Sequence, residues 1–339
     1  MKSTWRNFRS VSCLLFLLYI LFFVLPVKAG KNTLPDSAEL ASYALLDKTV
    51  LAARDLNYSG VFIIQQGQEI HIARISHMRH QGHILEKLEN LDGDRRETLR
   101  TDNVIRSILP AQRRILIERK SSEKSFPALN GLQAEHIRRY YQMHAIHHAE
   151  SAGRAAIVLN LTPRDAWRYG YRLWIDQSSN LLLRAQTLNE KSEVVEQIAF
   201  HELTLQPLTS AQLASSYPDT KGWQIHKATL TPLELSPWGV KWLPDGFLPT
   251  RAVKRLVAES SEKSAKQKEM MQFVYSDGLA GISIFIEPWA AQKAMVLGRP
   301  GALNVVGKRM GEFWLTIVGE VPLQTIRQVA ESIDLNLTQ

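Results

Sequence analysis

Apolar and polar positions along this chain alternate mainly with a period of two, which is the period of β-strands. From Tyr58 onward, short alternating runs are separated by turn residues such as Gly67, Gly82, Gly93 and Asn103. Turn residues at such close spacing predict hairpins. We therefore predict a first antiparallel meander of five strands, at 58–64, 69–78, 84–88, 97–100 and 104–109.

A second meander is predicted at 155–162, 169–176, 181–188 and 194–205. In its second strand, Tyr171, Leu173 and Ile175 alternate with Arg172 and other polar or mixed residues. One apolar face and one mixed face are typical of a sheet that is covered on one side only.

Helical spacing occurs in three places. Leu40, Tyr43, Leu46 and Val50 predict a helix at 36–54, and Ser37 is its expected N-cap. Residues 126–148 are rich in helix formers and aromatics, and predict one or two helices packed on the sheet. The last predicted helix covers 322–333.

A polar stretch with two prolines at 207–220 separates these elements from a third group of strands. Those later strands are predicted at 251–258, 270–276, 279–287, 303–310 and 313–318. We therefore predict an N-terminal domain at 30–206, a linker at 207–221 and a smaller C-terminal domain at 222–339, in an α+β fold that is mostly sheet.

The N-terminus has the pattern of a secretory signal peptide. Lys2, Arg6 and Arg9 precede an apolar run from Val11 to Leu25, and Ala29 suits a leader peptidase. A retained membrane anchor is the alternative, but the run is short for a span of roughly 20 residues. We expect export to the periplasm and cleavage after Ala29.

Removal of the leader changes the composition. The leader carries four basic residues and no acid, so the formal net charge would fall from +8 to +4. It also carries Cys13, the only cysteine of the chain. A cysteine-free mature protein has no disulfide, thiol nucleophile or cysteine-bound metal. The modest charge of an exported protein does not point to nucleic acid.

Two groups of histidines raise the question of a metal site or a pH sensor. One is His77, His80 and His83 near a predicted turn, and the other is His144, His147 and His148 in the predicted helix. The ligand spacing of known zinc motifs is incomplete in both groups. Solvated, partly paired histidines are the competing interpretation, and we predict no metal and no cofactor.

Enzyme motifs are weak. Ser-x-x-Lys spacing occurs at 121–124 and at 260–263, but without the companion motifs of serine acyl transferases. Phosphate-binding and dinucleotide-binding glycine motifs are absent from the sequence. We predict a protein that binds and does not catalyse.

The candidate binding residues are arginine pairs, which suit phosphates and carboxylates, and tryptophans, which suit a lipid groove or a partner interface. An exposed charged surface and a buried core are the respective alternatives. The selected residues are Arg95, Arg96, Arg138, Arg139, Trp167, Trp174 and Trp242.

Five short stretches, in order along almost the whole chain, resemble the MucB/RseB family of periplasmic regulators. The first is 91–97, Leu-Asp-Gly-Asp-Arg-Arg-Glu, where the family usually has proline in place of Asp94. Aspartate is also compatible with a turn, so this departure leaves the turn intact. The others are 56–60, 242–247, 275–279 and 317–322.

This resemblance implies more than the pattern of residues does. It implies an N-terminal half-barrel of the LolA/LppX type, a curved antiparallel sheet over helices, and a smaller C-terminal α+β domain. It implies that the protein binds the periplasmic segment of an anti-sigma factor of the RseA/MucA kind and shields it from regulated proteolysis. Release by lipopolysaccharide or lipoprotein acyl chains and a homo-oligomeric state are further expectations.

Two other functions remain open at this point. A lipid or lipoprotein carrier of the LolA type would bind acyl chains through its N-terminal domain alone. An envelope hydrolase would depend on one Ser–His pair, and no convincing pair is found in the sequence. The regulator should need both domains.

Overall fold

The computed structural model describes residues 37–119, 134–233, 238–258, 267–289 and 301–335. The predicted signal peptide and both Ser-x-x-Lys stretches lie outside these residues. Residues Asp36 to Gln339 form one compact unit. Within the described part of the chain, none of the helices is both long and apolar enough to cross a bilayer.

The helices are short apart from the first: α1 Ser37–Asp55, α2 Ala134–Tyr140, α3 Ser210–Leu213 and α4 Leu323–Ser332. The strands of the first half are β1 Tyr58–Gln66, β2 Glu69–His80, β3 His83–Asn90, β4 Glu97–Thr101, β5 Val104–Leu109, β6 Arg114–Arg119, β7 Tyr141–Ser151, β8 Arg154–Pro163, β9 Gly170–Asp176, β10 Leu182–Leu188 and β11 Val194–Thr204. Those of the second half are β12 Gln224–Lys227, β13 Thr229–Pro232, β14 Trp238–Val240, β15 Leu248–Ala258, β16 Gln267–Ser276, β17 Gly281–Pro288, β18 Asn304–Met310, β19 Phe313–Gly319 and β20 Ile333–Leu335.

The large sheet has the order β12-β6-β5-β4-β3-β2-β1-β11-β10-β9-β8-β7. Its neighbours are antiparallel except β12, which runs parallel to β6. Positive φ angles at Gly67, Gly82 and Gly93 support the three predicted turns. The two predicted meanders are confirmed, and they meet where β1 pairs with β11. The sheet is open, with β12 and β7 at its ends, as the resemblance implies.

The helix α1 covers one face of this sheet. Tyr43 and Leu46 bury their side chains against strands β7 to β10, and Ala53 packs against Phe62 and Phe200 of β1 and β11. The rings of Phe62 and Phe200 meet edge to face at 6.1 Å. Each large apolar side chain buried in this way contributes about 1.5–3 kcal/mol, so α1 depends on the sheet.

The opposite face of the sheet is crossed by the segment 207–223, which we call the strap. It includes α3, and its Ser215 and Ser216 bind the buried carboxylate of Glu97 on β4. The strap leads into β12, which joins the large sheet, and the first strand of the second sheet begins at Thr229. The domain boundary at residue 222 stays a prediction.

The second sheet has the order β13-β15-β16-β17-β19-β18. Its core is built from Ile282, Ile284, Leu315 and Ile317, against Ile326 and Val329 of α4. Residues at 326 and 329 are three apart, which places them on one face of a helix. A short ladder between β14 and β20 follows α4. The predicted strands and final helix of this region are confirmed.

One predicted element is wrong. Residues 141–148, predicted as helical, belong to β7, and within 126–148 the described helix is limited to 134–140. Tyr141 and Met143 are buried, Ala145 is half-buried, and the residues between them are exposed, which is the period of a strand. Pairing with β8 outweighs the helix propensity of this stretch because β preference depends on packing partners.

Candidate functional site

The two sheets are joined by a buried ion pair. Arg168, between β8 and β9, has a side chain with no exposed surface. Its Nη1 donates to Oδ2 of Asp277 at 2.8 Å, and its Nη2 donates to the backbone oxygen of Asp245 at 2.6 Å. Asp245 and Asp277 flank strands of the second sheet. A buried charge is costly unless it is paired, so the guanidinium fixes one sheet against the other.

Aromatic rings surround this ion pair. The Arg168 guanidinium carbon lies 4.8 Å from the ring centre of Tyr140 and 5.3 Å from that of Phe247. Tyr141 donates its hydroxyl to Oδ2 of Asp277 at 3.1 Å. Burial, followed by the negative charge of Asp277, raises the pKa of Tyr141 well above its usual value. Tyr141 therefore remains a hydrogen-bond donor at physiological pH.

The positive charge of Arg168 is insensitive to pH. Burial alone would lower the pKa of Arg168, but the carboxylate of Asp277, with Tyr141 and Asp165, raises it above the ordinary value for arginine. The Nε of Arg168 also donates to Asp165 at 3.1 Å. Arg168 stays charged wherever the protein is folded.

The turn between β16 and β17 presents Asp277 to the other sheet. The Oδ1 of Asp277 accepts the backbone N–H groups of Leu279 at 3.0 Å and Ala280 at 2.8 Å. Gly278 has a φ of +103°, which glycine adopts readily. Leu279 then inserts into the core of the large sheet, beside Leu161 and Tyr141. A short turn thus supplies both the charge and an apolar anchor.

A second loop, 244–247, closes the other side of the junction. Gly246 has a φ of +89°, and an added Cβ there would lie 2.2 Å from Cε2 of Tyr140. His136 of α2 lies 2.8 Å from the backbone oxygen of Gly246 through its Nε2. Glycine is required at 246 both for the backbone conformation and for the close approach of the ring.

The helix α4 also contacts the connection between β8 and β9 of the large sheet. Thr325 donates its hydroxyl to the backbone oxygen of Trp167 at 2.9 Å, and Gln324 donates to that of Ala166 at 2.9 Å. The rings of Trp167 and Trp242 meet edge to face at 4.9 Å. This geometry is favourable for aromatic pairs, and it ties the 242–247 stretch to the β8–β9 connection.

Of the seven predicted site residues, Trp167 and Trp242 meet at this junction. Arg138 and Arg139 lie on α2, where the backbone oxygen of Arg138 accepts Nε of Arg164 at 3.4 Å. Arg95 and Arg96 lie in the β3–β4 turn, far along the sheet order from α2. Trp174 lies in β9 beneath the guanidinium of Arg184, at 4.3 Å.

The residues that form the buried ion pair of the junction, Arg168, Asp277 and Asp245, were not among the residues predicted from the sequence. Asp245 and Asp277 lie in two stretches that carry the family resemblance, so their position in those stretches was a usable signal. Arg168 follows Pro163, Arg164 and Asp165 in a polar connection, and nothing in that pattern distinguishes a buried arginine from an exposed one.

The first group of histidines is divided between different environments. His77 is fully buried, stacks on Tyr58 at 4.9 Å and lies 3.1 Å from the backbone oxygen of Arg54. His83 is exposed and contacts Asp102 at 2.8 Å. Among the described residues, no three His, Cys, Asp or Glu side chains are grouped as metal ligands. The side chains of His147 and His148 lie outside the described atoms.

A cavity of about 490 Å³ lies between α1 and β7. Its wall on the helix side is formed by Ala38, Ala41, Ser42 and Leu45, and its wall on the strand side includes Met143 and Ala145. The lining mixes apolar and polar groups.

Two domain families match this chain over most of its length. The MucB/RseB N-terminal domain matches residues 41–231, and the MucB/RseB C-terminal domain matches residues 232–334. A similar relative is the sigma factor AlgU regulatory protein MucB of Pseudomonas aeruginosa. It is 29% identical over 294 residues, which cover 85% of this chain and 89% of MucB. The sigma-E factor regulatory protein RseB of Escherichia coli K12 is 29% identical over 314 residues, covering 89% and 93%.

Solved structures agree with these matches. The Pseudomonas aeruginosa MucA/MucB complex contains a chain that superimposes with a TM-score of 0.68 at 27% identity, covering 88% of this chain and 100% of that one. MucB in complex with MucA(peri) gives a TM-score of 0.65 at 28% identity, with the same coverage. With both domains matched in order, the chain belongs to the MucB/RseB family.

Proposed function

We propose that this protein is a periplasmic regulator that binds the periplasmic segment of an anti-sigma factor and shields it from regulated proteolysis. The observation that carries the proposal is the match over 88% of the chain to MucB in complex with MucA(peri). The names of the relatives, which are sigma factor regulatory proteins, support the same function.

The geometry of the junction supports a function that needs both sheets. Arg168, Asp277 and Tyr141 form a closed network in which each polar group has a partner. Such a network holds two sheets in one arrangement, so that a partner segment can contact both without the cost of ordering them. A carrier that used the large sheet alone would not need this connection.

The proposed action is binding and not catalysis. The ion network at Arg168 is buried between the sheets and holds them together. Its guanidinium is surrounded by side-chain and backbone acceptors, so it has no free donor geometry for a substrate. The relatives are regulatory proteins by name.

We propose that residues 1–29 direct export and are removed after Ala29. The basic start, the apolar run and the small residue at 29 support this. The proposed partner is periplasmic, so the protein must reach the same compartment. Mass spectrometry of the protein from the periplasm should find Gly30 at the N-terminus, and a retained leader would contradict the proposal.

We propose that acyl chains of lipopolysaccharide or lipoproteins release the partner. Support comes from half-buried apolar side chains on the face of the large sheet that α1 covers: Leu88 of β3, Ile105 of β5 and Leu116 of β6. Such a face can take hydrocarbon chains. The same observation favours the second candidate, a lipid carrier, which would bind acyl chains tightly whether or not the partner segment is present.

Among the predicted site residues, Trp167 and Trp242 are proposed to act by joining the sheets. Arg95, Arg96, Arg138, Arg139 and Trp174 stay proposals for contact with a ligand or the partner. A homo-oligomer is also proposed. The exposed Ile70 and Ile72, 59% and 37% exposed on one face of β2, support it, and sedimentation velocity is the test.

The test of the main proposal is a binding titration. A fluorescent periplasmic segment of the anti-sigma factor is titrated with the protein lacking residues 1–29, and its anisotropy is recorded. Saturable binding is expected, and a scrambled segment of the same composition should not bind. Acyl-chain micelles should lower the affinity; if they bind but leave it unchanged, the carrier function is favoured.

A further inference from the structure

Strand β7 forms one end of the large sheet, and no strand of the described chain pairs with its outer edge. It has 11 residues, whereas β12 and β13, at two other sheet ends, have four each. A long free edge offers a row of backbone donors and acceptors to another chain. The outer edge of β7 therefore offers more unpaired backbone groups than the edges of β12 and β13.

The direction of the backbone groups along β7 follows from its pairing with β8. The backbone N–H of Arg164 donates to the oxygen of Tyr140 at 2.8 Å, so this pair is hydrogen-bonded. Bonded and non-bonded pairs alternate in an antiparallel ladder. The N–H and C=O groups of Met143 and Ala145 then point away from β8, toward the free edge.

Two observations support this assignment. The residue opposite Tyr141 is Pro163, which has no N–H to donate, as suits a non-bonded pair. The backbone oxygen of Tyr141 instead accepts the hydroxyl of Tyr43 from α1, at 3.3 Å. The edge of β7 nearest α1 therefore carries the outward N–H and C=O groups of every second residue.

The cavity of about 490 Å³ lies at this edge. Ala38, Ala41, Ser42 and Leu45 are spaced so that they share one face of α1, and three of these four side chains are small. Small residues keep the helix from filling the space beside the strand. An extended chain placed there would have β7 on one side and the side chains of α1 above it.

The charges of the cavity favour an acidic occupant. Glu39 is already engaged, since it accepts the hydroxyl of Tyr43 at 2.8 Å and pairs with Arg164 at 3.4 Å. Lys48, at the opposite end of the lining, forms no ion pair within the described residues. The uncompensated charge of the described lining is therefore positive, and a carboxylate near Lys48 would complement it.

We propose that an extended, acidic polypeptide segment adds to the outer edge of β7 as a further strand beneath α1, bonded to the backbone of Met143 and Ala145. The identity of this segment rests on the proposed function, in which it is part of the anti-sigma factor. The backbone contacts give affinity, and the pocket along α1 selects small or extended side chains.

Amide hydrogen exchange tests the proposal on the unaltered protein. Addition of a saturating amount of the periplasmic segment should slow exchange at Met143 and Ala145. Gln142 and His144 are the internal controls, because their N–H groups already point to β8. Binding without added protection at Met143 and Ala145 overturns the strand addition and leaves the proposed function standing. No binding at all contradicts the proposed function.

A variant provides the second measurement. Ala145→Pro removes one outward N–H at an edge strand, a position where proline is tolerated. It should weaken binding by about tenfold, the effect of losing a hydrogen bond at an ordered interface. The original protein, which keeps this N–H, is the reference. Equal affinities for a folded Ala145→Pro and the original protein would overturn the proposal.

Discussion

Two buried ion clusters tie irregular segments to the sheets of this protein, and they differ in how far water reaches them. At the junction, the side chains of Arg168 and Asp277 have no exposed surface. In the strap cluster, Lys87 pairs with Glu97 at 3.0 Å, with side-chain exposures of 8% and 2%, and also with the half-buried Glu89. Both clusters are fully hydrogen-bonded, but only the junction is closed on all sides.

This difference in exposure indicates how each cluster contributes to the stability of the protein. In the closed junction, removing one charge leaves the other buried without a partner, which is expensive. In the strap cluster, a second carboxylate and two serine hydroxyls remain when one partner is lost. The junction should therefore control the arrangement of the two sheets, while the strap should control a local segment on the large sheet.

The largest expected effect is that of Arg168→Met. It leaves the buried carboxyl group of Asp277 without a cation, and should lower the free energy of unfolding by about 3–5 kcal/mol. Urea denaturation measures this. The double variant Arg168→Met/Asp277→Asn has no uncompensated buried charge and should regain much of the loss. A cost below about 1 kcal/mol for the single variant would show that the junction is not closed.

The second-largest loss of stability is expected for Gly246→Ala. Alanine at a φ of +89° is strained, and its Cβ would lie 2.2 Å from Tyr140. We expect a loss of about 2–4 kcal/mol by thermal or urea unfolding, from backbone strain together with overpacking. Gly311→Ala is the control, since its φ of +58° is also positive but nothing lies within 4 Å of its added Cβ. Equal losses in the two variants would mean that Tyr140 does not press on Gly246.

The stability that Glu97 contributes through the strap should decrease in acid. Burial alone would raise the pKa of Glu97, but the Ser216 N–H, the Ser215 hydroxyl and Lys87 lower it below the ordinary value. A lowered folded pKa adds stability above the unfolded pKa, near 4.3, and that stability is lost as pH falls through the folded pKa. Glu97→Gln should cost about 1–2 kcal/mol at pH 7, and this cost should become smaller as the pH falls below the unfolded pKa. A cost that does not change with pH would contradict this.

The smallest effect is expected for Ser216→Ala. This variant removes the hydroxyl that accepts from Lys87 at 3.0 Å and donates to Glu89 at 3.1 Å, while the backbone N–H to Glu97 remains. We expect about 0.5–1.5 kcal/mol of destabilisation. Hydrogen exchange should be faster in the strap and unchanged at Asp277. Faster exchange at Asp277 would mean that the two clusters are coupled.

The sequence allowed the hairpins and the main helices to be predicted because their signals are local. The turn at Gly67 and the apolar spacing of α1 each lie within a few residues. The strands β6, β12, β13, β14 and β20 were not predicted, since they are short or lack an alternating pattern. The composition of the β7 stretch favours a helix, but Tyr141, Met143 and Ala145 have the period of two of a strand.

The junction could not be predicted because it joins residues that are distant in sequence. Arg168 and Asp277 are separated by 109 positions, and Tyr141 and Asp277 by 136. Burial of a charge depends on packing that no local pattern records. The family resemblance marked the stretches that contain Asp245 and Asp277, but it did not indicate that they bind one arginine of the large sheet.

The proposed function is to shield a segment of an anti-sigma factor from proteolysis. The most direct measurement is the rate at which a site-specific protease cuts that periplasmic segment as the protein without residues 1–29 is added. The cleavage rate should fall and level off once the protein saturates the segment. A cleavage rate that stays unchanged at a large excess of folded protein would contradict it.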